Sequence, residues 1–278
     1  MFVALNSTVI QGRVPWPEFA ELAARAGYGG VDVPADLARK PDGIVATKDL
    51  LARLRLKPAV VGFPVEFRKD DAEFRASFAT LGDTAKFAAA IGCPRMATWM
   101  LPSSELPKAE QRALYVRRLG ECAKLLADHN IRLGLEFVSP VHLRKRHPHE
   151  FIWRMDEMLA LAKDCGPNAG LLLDSWHWHH AKATVDDIIR AGRDGIVHVH
   201  INDAPDLPPE QIQDNQRLMP GEGVIDLNGF FRALKRIGYA DAMSVEVFGR
   251  GLKDMTPDAA AKLGADTAKA AMRRAGVL

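Results

Sequence analysis

The sequence predicts an α/β protein built as a single (β/α)8 barrel spanning residues 1–278. Three observations carry this. Eight short β-branched runs alternate with eight stretches whose apolar residues recur at helical spacing. Glycine closes several of the helical stretches, at Gly27, Gly92, Gly166, Gly192, Gly238 and Gly276. The rival, an open doubly wound sheet, needs a Gly-rich phosphate turn after an early strand. The one candidate, GYGG at 27–30, stands before a strand.

The strand candidates, in order, are FVALNST (2–8), YGGVDVP (28–34), KPAVVGFP (57–64), PRMATWML (94–101), IRLGLEFV (131–138), NAGLLLDSW (168–176), GIVHVHIND (195–203) and DAMSVEVF (241–248). Each is short, apolar and rich in strand formers. Helices are expected over 17–27, 46–56, 70–92, 106–130, 151–166, 184–192, 226–238 and 256–275. The first shows the pattern: Phe19, Leu22, Ala23 and Ala26 share one face. The stretch 203–225 is polar and Pro-rich. A loop that long in a compact fold is usually functional, often a lid.

Composition narrows the functional classes. With 278 residues and 47% hydrophobic content the chain can bury a large core. A net charge of +2 offers no field for gripping nucleic acid or an anionic membrane. No apolar run reaches the length of a membrane span, and MFVALNSTVI lacks the basic start and long apolar core of a signal peptide. Cys93, Cys122 and Cys165 are odd in number and form no C-x-x-C pair, which fits reduced thiols of a cytoplasmic protein.

Four successive strand runs close on groups that water normally keeps: Glu136, Asp174, His200 and Glu246. A buried carboxylate is costly unless paired. In a barrel the C-terminal strand ends share one mouth, where active sites lie. Strands five to eight therefore aim these four groups at one point, and three carboxylates with one imidazole suit a divalent ion. Each has an ordinary reading too. Glu136 can cap a helix or pair with an arginine, Asp174 can cap the turn after it, and His200 can be a core histidine bonded to a carbonyl. Glu246 has the weakest such reading, because flanking Val245 and Val247 point the other way. Four separate explanations at four matching positions are harder to sustain than one ion.

Other residues are weighed against the same mouth. His198 shares the face of His200 one layer deeper, a place for core polar packing. His177 follows Asp174 by three residues and can reach a bound substrate oxygen or the ion's outer shell. His179 has the same argument in weaker form, and His180 reads as loop. Trp176 and Trp178 either pave a pocket for a sugar-like ring or shield the core. VHLRKRHPHE (141–150) reads as a solvated loop or subunit contact, or as a site for an anionic substrate group. Arg217, in NQRLMPGEG, can fold over an ion and hold a substrate hydroxyl or enediolate oxygen.

LEFV, LLLDSWHWH, HVHIND, RLMPGEGVIDL and SVEVF together resemble the sugar phosphate isomerase/epimerase superfamily, whose members share the xylose isomerase-like TIM barrel. Within it, DSWHWH, NDAPDLPPEQIQDNQRLMPGEGVIDL and VFGRGLKDMTPDAAAKLGADTAK are most similar to the inosose (2-keto-myo-inositol) isomerase type. The resemblance implies one divalent metal ion (Mn, Co, Zn or Mg) on Glu136, Asp174, His200 and Glu246. It implies Glu136 and Glu246 as the proton-transfer pair, and substrate contacts from His177 and Arg217. The chain departs from that type in its longer, more basic 141–150 loop and in Trp99, where a smaller residue is expected. Both touch the substrate pocket, so Trp99 joins His177, His179 and Arg217 among the candidate substrate contacts.

The expected activity is a metal-dependent isomerisation or epimerisation of a small sugar or polyol ketone, cytoplasmic, with a homo-oligomer left open. Inosose is the first substrate expectation, and a ketohexose or 3-keto sugar the second. The nearest alternative is a dehydratase or lyase of inosose or a 3-keto sugar using the same metal site. An AP-endonuclease-like phosphodiesterase would need histidine ligands on the early strands, whose ends offer only Asn6, Asp32 and Glu66. A non-catalytic sugar-binding barrel would be expected to lack one of the two glutamates.

Overall fold

The computed structural model describes residues 1–278. Eight parallel strands close into a barrel: β1 (Phe2–Leu5), β2 (Gly30–Val33), β3 (Lys57–Gly62), β4 (Arg95–Met100), β5 (Arg132–Phe137), β6 (Ala169–Asp174), β7 (Ile196–Ile201) and β8 (Ala242–Val245). Each strand hydrogen-bonds to its sequence neighbours, and β8 closes on β1. All eight expected strands are present, each trimmed at one or both ends. β1 stops at Leu5 because Asn6 turns the chain: its Oδ1 accepts the Thr8 N–H at 2.9 Å and starts a short 3-10 helix over Ser7–Ile10.

The covering helices start and stop on local signals. Helix Trp16–Ala26 has Pro17 in its first turn and ends on Gly27 at φ 83°, a conformation that glycine adopts without steric cost. Thr184 and Asp187 form a capping box at the start of Val185–Gly195. Thr256 caps Pro257–Arg274. The expected helix 70–92 is two helices, Asp71–Phe78 and Leu81–Ala90. The break lies where hydroxyls compete for the backbone: Ser77 Oγ donates to Glu73 and Phe74 carbonyls, and Thr80 Oγ1 donates to the Ser77 carbonyl.

One hydrophobic core fills the space between barrel and helices, centred on side chains such as Leu22, Phe74, Phe137, Leu173 and Phe230. Inside the barrel the layers change character. At the floor, Ala4, Ala59 and Ala242 pack together, and buried Arg95 donates to the Ala59 carbonyl at 2.9 Å while pairing with Asp241 at 2.8 Å. Gly134 leaves room midway, because a Cβ there would meet Ala97, Val197 and the Leu172 nitrogen at 3.2–3.4 Å. Polar groups then take over toward the C-terminal mouth. Cys93, Cys122 and Cys165 are buried and unpaired. No helix is long and apolar enough to cross a membrane.

Candidate active site

Glu136, Asp174, His200 and Glu246 meet at the mouth. Asp174 and His200 are register partners on β6 and β7, and His200 pairs with Ser244 on β8. Glu246 lies one residue past β8, but its N–H still bonds the Ile201 carbonyl at 3.2 Å, so it stays aligned with the strand. One ligand-type atom from each of the four lies within 4.8 Å of all the others. His200 Nδ1 is 3.2 Å from Glu246 Oε2, 3.6 Å from Glu136 Oε1 and 3.9 Å from Asp174 Oδ2.

These residues fit a divalent ion. His200 Nδ1 and Glu136 Oε1 are buried and have no hydrogen-bond partner, although carboxylate and imidazole atoms face one another across the gap. Orphaned buried polar atoms are rare because each costs on the order of 1–3 kcal/mol. Ligands about 2.0–2.2 Å from a common centre stand roughly 3–3.6 Å from one another, close to the spacings around His200. The donor set of carboxylates and one imidazole suits several divalent ions.

Asp174 serves both readings at once. Oδ1 accepts the Trp176 N–H at 2.6 Å, capping the short helix Ser175–His180, and the Asn202 amide at 2.9 Å. Oδ2 is left for the cluster. Burial opposes charge on this carboxylate, but Arg217, His177, His200 and the Asn202 bond overcome it and hold the carboxyl well below its usual range. Glu136 goes the other way. Burial, with Glu246 and Asp174 nearby, pushes its carboxyl up to about 8 despite the opposing pull of His200. Burial disfavours the charged form of His200, yet Glu246 and Glu136 outweigh it and raise the imidazole well above its ordinary value. Both shifts favour the protonated form of Glu136 and His200 in the metal-free site.

Arg217 is buried against the candidate ligands and also lines a cavity at the mouth. Its Nη1 donates to Asp174 Oδ2 at 2.8 Å and Glu246 Oε2 at 2.7 Å, and Nη2 to Asp214 Oδ1 at 3.0 Å. It also stacks 4.6 Å from the Phe248 ring. The loop that delivers it is tied back to the barrel. Asp203 and Leu218 exchange both backbone bonds, and the Asp203 carboxylate accepts the N–H groups of Ala204, Gly221 and Ile225, each at 2.9 Å. Asn202, Asp203 and Asp214 are supporting residues that sequence reasoning passed over. The signal was there in HVHIND: Asn202 and Asp203, two polar residues just past Ile201, which follows the candidate ligand His200.

His177 lies beside Arg217, Nε2 to Nη2 3.3 Å, and its Nδ1 accepts the Ser139 N–H at 3.2 Å. Burial lowers its pKa, so the ring is neutral. The mouth opens as two adjoining cavities that share Trp99, Glu136 and Glu246. One, about 310 Å³, is lined by His177, Arg217, Arg146 and Phe248. The other, about 400 Å³, reaches across to Asn6 and Asp32 on the early strands. Trp99 is half-exposed between them, with Arg68 stacked 4.4 Å from its ring. His179 lines neither cavity; its ring sits edge-on to His180, 4.9 Å away. His180 ends the short helix rather than lying in a loop, packed 4.4 Å from Trp176. Trp176 and Trp178 do not pave the pocket. Both are buried, and Trp178 packs edge-on against Phe230, so they shield the core.

His198 sits a layer below His200 and shares a hydrogen bond with Ser244 Oγ at 3.0 Å. In the basic loop the charges divide. Arg144 is structural, donating to the Ser139 carbonyl at 2.6 Å and lying 3.4 Å over the Trp153 ring. His147 pairs with Glu105 at 2.7 Å. Arg146 reaches the smaller cavity. Glu66 lines neither cavity.

Residues 20–273 match the model of the family described as xylose isomerase-like TIM barrel. Over 153 residues the chain is 29% identical to the inosose isomerase of Bacillus licheniformis, covering 54% of this chain and 51% of that protein. Over 215 residues it is 26% identical to the inosose isomerase of Halalkalibacterium halodurans, covering 76% and 74%. The match thus spans about half the length of the first relative and about three quarters of the second. Weaker matches include proteins named 3-dehydroshikimate dehydratase and D-psicose 3-epimerase. Among solved structures, a xylose isomerase domain protein from Alicyclobacillus acidocaldarius superposes with a TM-score of 0.90 at 28% identity over 99% of both chains. The IOLI protein, solved with a binding zinc atom, has the same fold with a TM-score of 0.84 at 22% identity over 99% of both chains. With a family match across nearly its full length and a closed eight-stranded parallel barrel, the chain belongs to the xylose isomerase-like TIM barrel family.

Proposed function

We propose that the protein is a divalent-metal-dependent isomerase or epimerase of a small hydroxyketone, with inosose as the first substrate and a ketohexose or 3-keto sugar as the second. The observation that carries this reading is the placement of two glutamates, Glu136 and Glu246, with ligand-type oxygens within 4.8 Å of each other beside a shared imidazole and Asp174. Relatives named as isomerases and epimerases support the reaction class.

Glu136, Asp174, His200 and Glu246 would hold the ion. Bound there, it supplies a Lewis acid that polarises a carbonyl and offsets negative charge on a hydroxyketone. The protein's own groups do the rest. One glutamate takes the proton from the carbon beside the carbonyl. The C–H electron pair becomes a C=C bond, and the carbonyl pair moves onto oxygen. Arg217 and His177 stand where a guanidinium and a neutral imidazole can hold the substrate oxygens in place. The other glutamate, protonated from solvent, returns a proton to the opposite face of the same carbon, giving an epimer, or to the former carbonyl carbon while the hydroxyl proton on the first carbon passes to the alkoxide oxygen, giving an isomer. Asn202 and the Asp203-anchored loop keep Asp174 and Arg217 in register throughout.

The test is hydrogen exchange in D2O with added Mn, followed by NMR on inosose, ketohexoses and hydroxypyruvate. Deuterium at an α-carbon with no other mass change supports the proposal. Loss of water would mark a dehydratase, and no exchange from any hydroxyketone would sink the reading.

A further inference from the structure

The larger cavity carries polar groups that the chemistry above does not use. Register places them. Ala4 and Leu5 on β1 pair with Ser244 and Val245 on β8, and with Gly30 and Val31 on β2. The next residue on each strand continues the row, so Glu246, Asn6 and Asp32 run side by side along the rim. Neighbouring strands lie about 4.8 Å apart, so Asp32 stands two strand spacings from Glu246. The remaining wall near Asp32 is largely apolar, with Ile10, Trp16, Phe19 and Val60, and no lysine or arginine lines the cavity.

A carboxylate facing such a wall, with the His198 and His200 rings within 4.8 Å but no lysine or arginine, is costly as a packing residue. It is also firmly held. Oδ2 accepts the Asn6 amide at 2.8 Å, and Oδ1 accepts the Ser244 hydroxyl at 2.5 Å. Ser244 is in turn bonded to His198. Asn6 is pinned by the Thr8 N–H on its carbonyl oxygen. Each Asp32 oxygen has therefore taken one donor and keeps further lone pairs, and the Asn6 amide keeps a second hydrogen. The result is an acceptor and a donor fixed next to one another at the cavity wall. A hydroxyl group satisfies both, by donating to one and accepting from the other.

We propose that Asp32 and Asn6 form a hydroxyl-binding subsite that selects substrates carrying hydroxyl groups beyond the reacting hydroxyketone: cyclic or six-carbon polyol ketones rather than three-carbon ones. This rests on the reaction proposed above for Glu136 and Glu246. It makes Asp32 a specificity-determining residue whose removal harms long substrates and spares short ones.

The experiment uses full-length Mn-loaded protein and two readouts. The first is binding of myo-inositol, a cyclic polyol with no carbonyl to enolise, followed by tryptophan fluorescence, since Trp16 and Trp99 line this cavity. The second is α-proton exchange from a six-carbon ketone and from hydroxyacetone. Asp32→Ala should weaken myo-inositol binding and lower kcat/KM for the six-carbon ketone by about 10–100-fold, the range for losing a hydrogen bond to a charged group. Hydroxyacetone exchange should stay within a few-fold. Asp32→Asn, which keeps the size and shape of the side chain, should give smaller losses in the same pattern. Equal losses on both substrates would place Asp32 at the reacting atoms and overturn the proposal. So would a wild type that does not bind myo-inositol, an unchanged affinity in Asp32→Ala, or loss of a second bound metal ion in that variant. A wild type that binds myo-inositol but exchanges no hydroxyketone would overturn the reaction instead, and the binding difference between wild type and Asp32→Ala would still decide the subsite.

Discussion

Asp174 and His200 face each other in register across adjacent strands, with Oδ2 and Nδ1 held 3.9 Å apart and no hydrogen bond between them. Two buried polar atoms held at that distance leave room for something between them. Glu136 and Glu246 close the remaining sides of the same space.

A single divalent ion per chain is therefore expected, and it should depend on all four residues. Glu246→Gln keeps the shape and removes the charge. Elemental analysis after dialysis should find metal in the wild type and little in the variant. The loss in affinity should exceed the roughly 10–100-fold typical of removing an outer partner of a ligand. Full metal occupancy in Glu246→Gln would refute this ligand set.

Arg217 bonds two of the candidate ligands and is itself buried. Removing one partner of a buried ion pair typically costs about 3–5 kcal/mol, because the remaining charge is left unpaired. Arg217→Ala should thus destabilise the metal-free protein markedly. Added Mn should recover most of the loss, since the ion also neutralises Asp174 and Glu246. Activity should still fall steeply with metal content nearly intact. Thermal melts with and without Mn check this, and a variant that cannot hold the ion at saturating Mn would count against it.

The metal-free site should respond to pH in a defined direction. Glu136 is raised from an ordinary value of 4.5 to about 8 in the folded protein, and His200 is raised as well. Above the ordinary histidine value of 6.5 and up to about 8, the folded state therefore holds more protons than the unfolded state, so stability falls as pH rises. Asp174 acts oppositely at pH below the ordinary carboxylate range, and His177, His179, His180 and His198, whose pKa values burial lowers, act oppositely below 6.5. Binding of an ion requires these protons to leave, so metal affinity should rise with pH over the same window and binding should release protons. Melting temperatures of metal-free protein from about pH 7 to about pH 8, with calorimetric titration of Mn in buffers of different ionisation enthalpy, test both signs. A metal-free protein that gains stability across this window would contradict the assignment.

Asp203 ties the long loop to the barrel through three backbone N–H groups. Asp203→Ala removes all three acceptor contacts, each worth about 1.5–3 kcal/mol for a charged acceptor. The loop 203–225 should become the first site of limited proteolysis, and activity should drop because Arg217 loses its anchor. If cleavage falls elsewhere first, Asp203 is not what holds the loop.

Much of this was legible in the chain. Eight runs with helical stretches between them predicted the barrel, because strand and helix periodicities are local properties of side-chain spacing. Strand ends marked Glu136, Asp174, His200 and Glu246, because a polar group closing an apolar run is visible without coordinates. Less was visible for residues whose role depends on a partner far away in sequence. Asp32 looked like one more strand-end acid until Ser244, 212 residues away, was found bonded to it. Trp176 looked as fit for a pocket wall as for the core, and only its burial decides. The helix break near Thr80 turned on which carbonyls two hydroxyls chose.

The sequence by itself determined the architecture and the candidate ligands, since periodicity, glycine stops and strand-end polarity are written in neighbouring residues. The tertiary structure alone decided which atoms face one another: the gap between Asp174 and His200, the bridge of Arg217 onto two carboxylates, and the row from Glu246 through Asn6 to Asp32. Those depend on barrel closure and strand register, which are set by the packing of the whole core rather than by any local stretch.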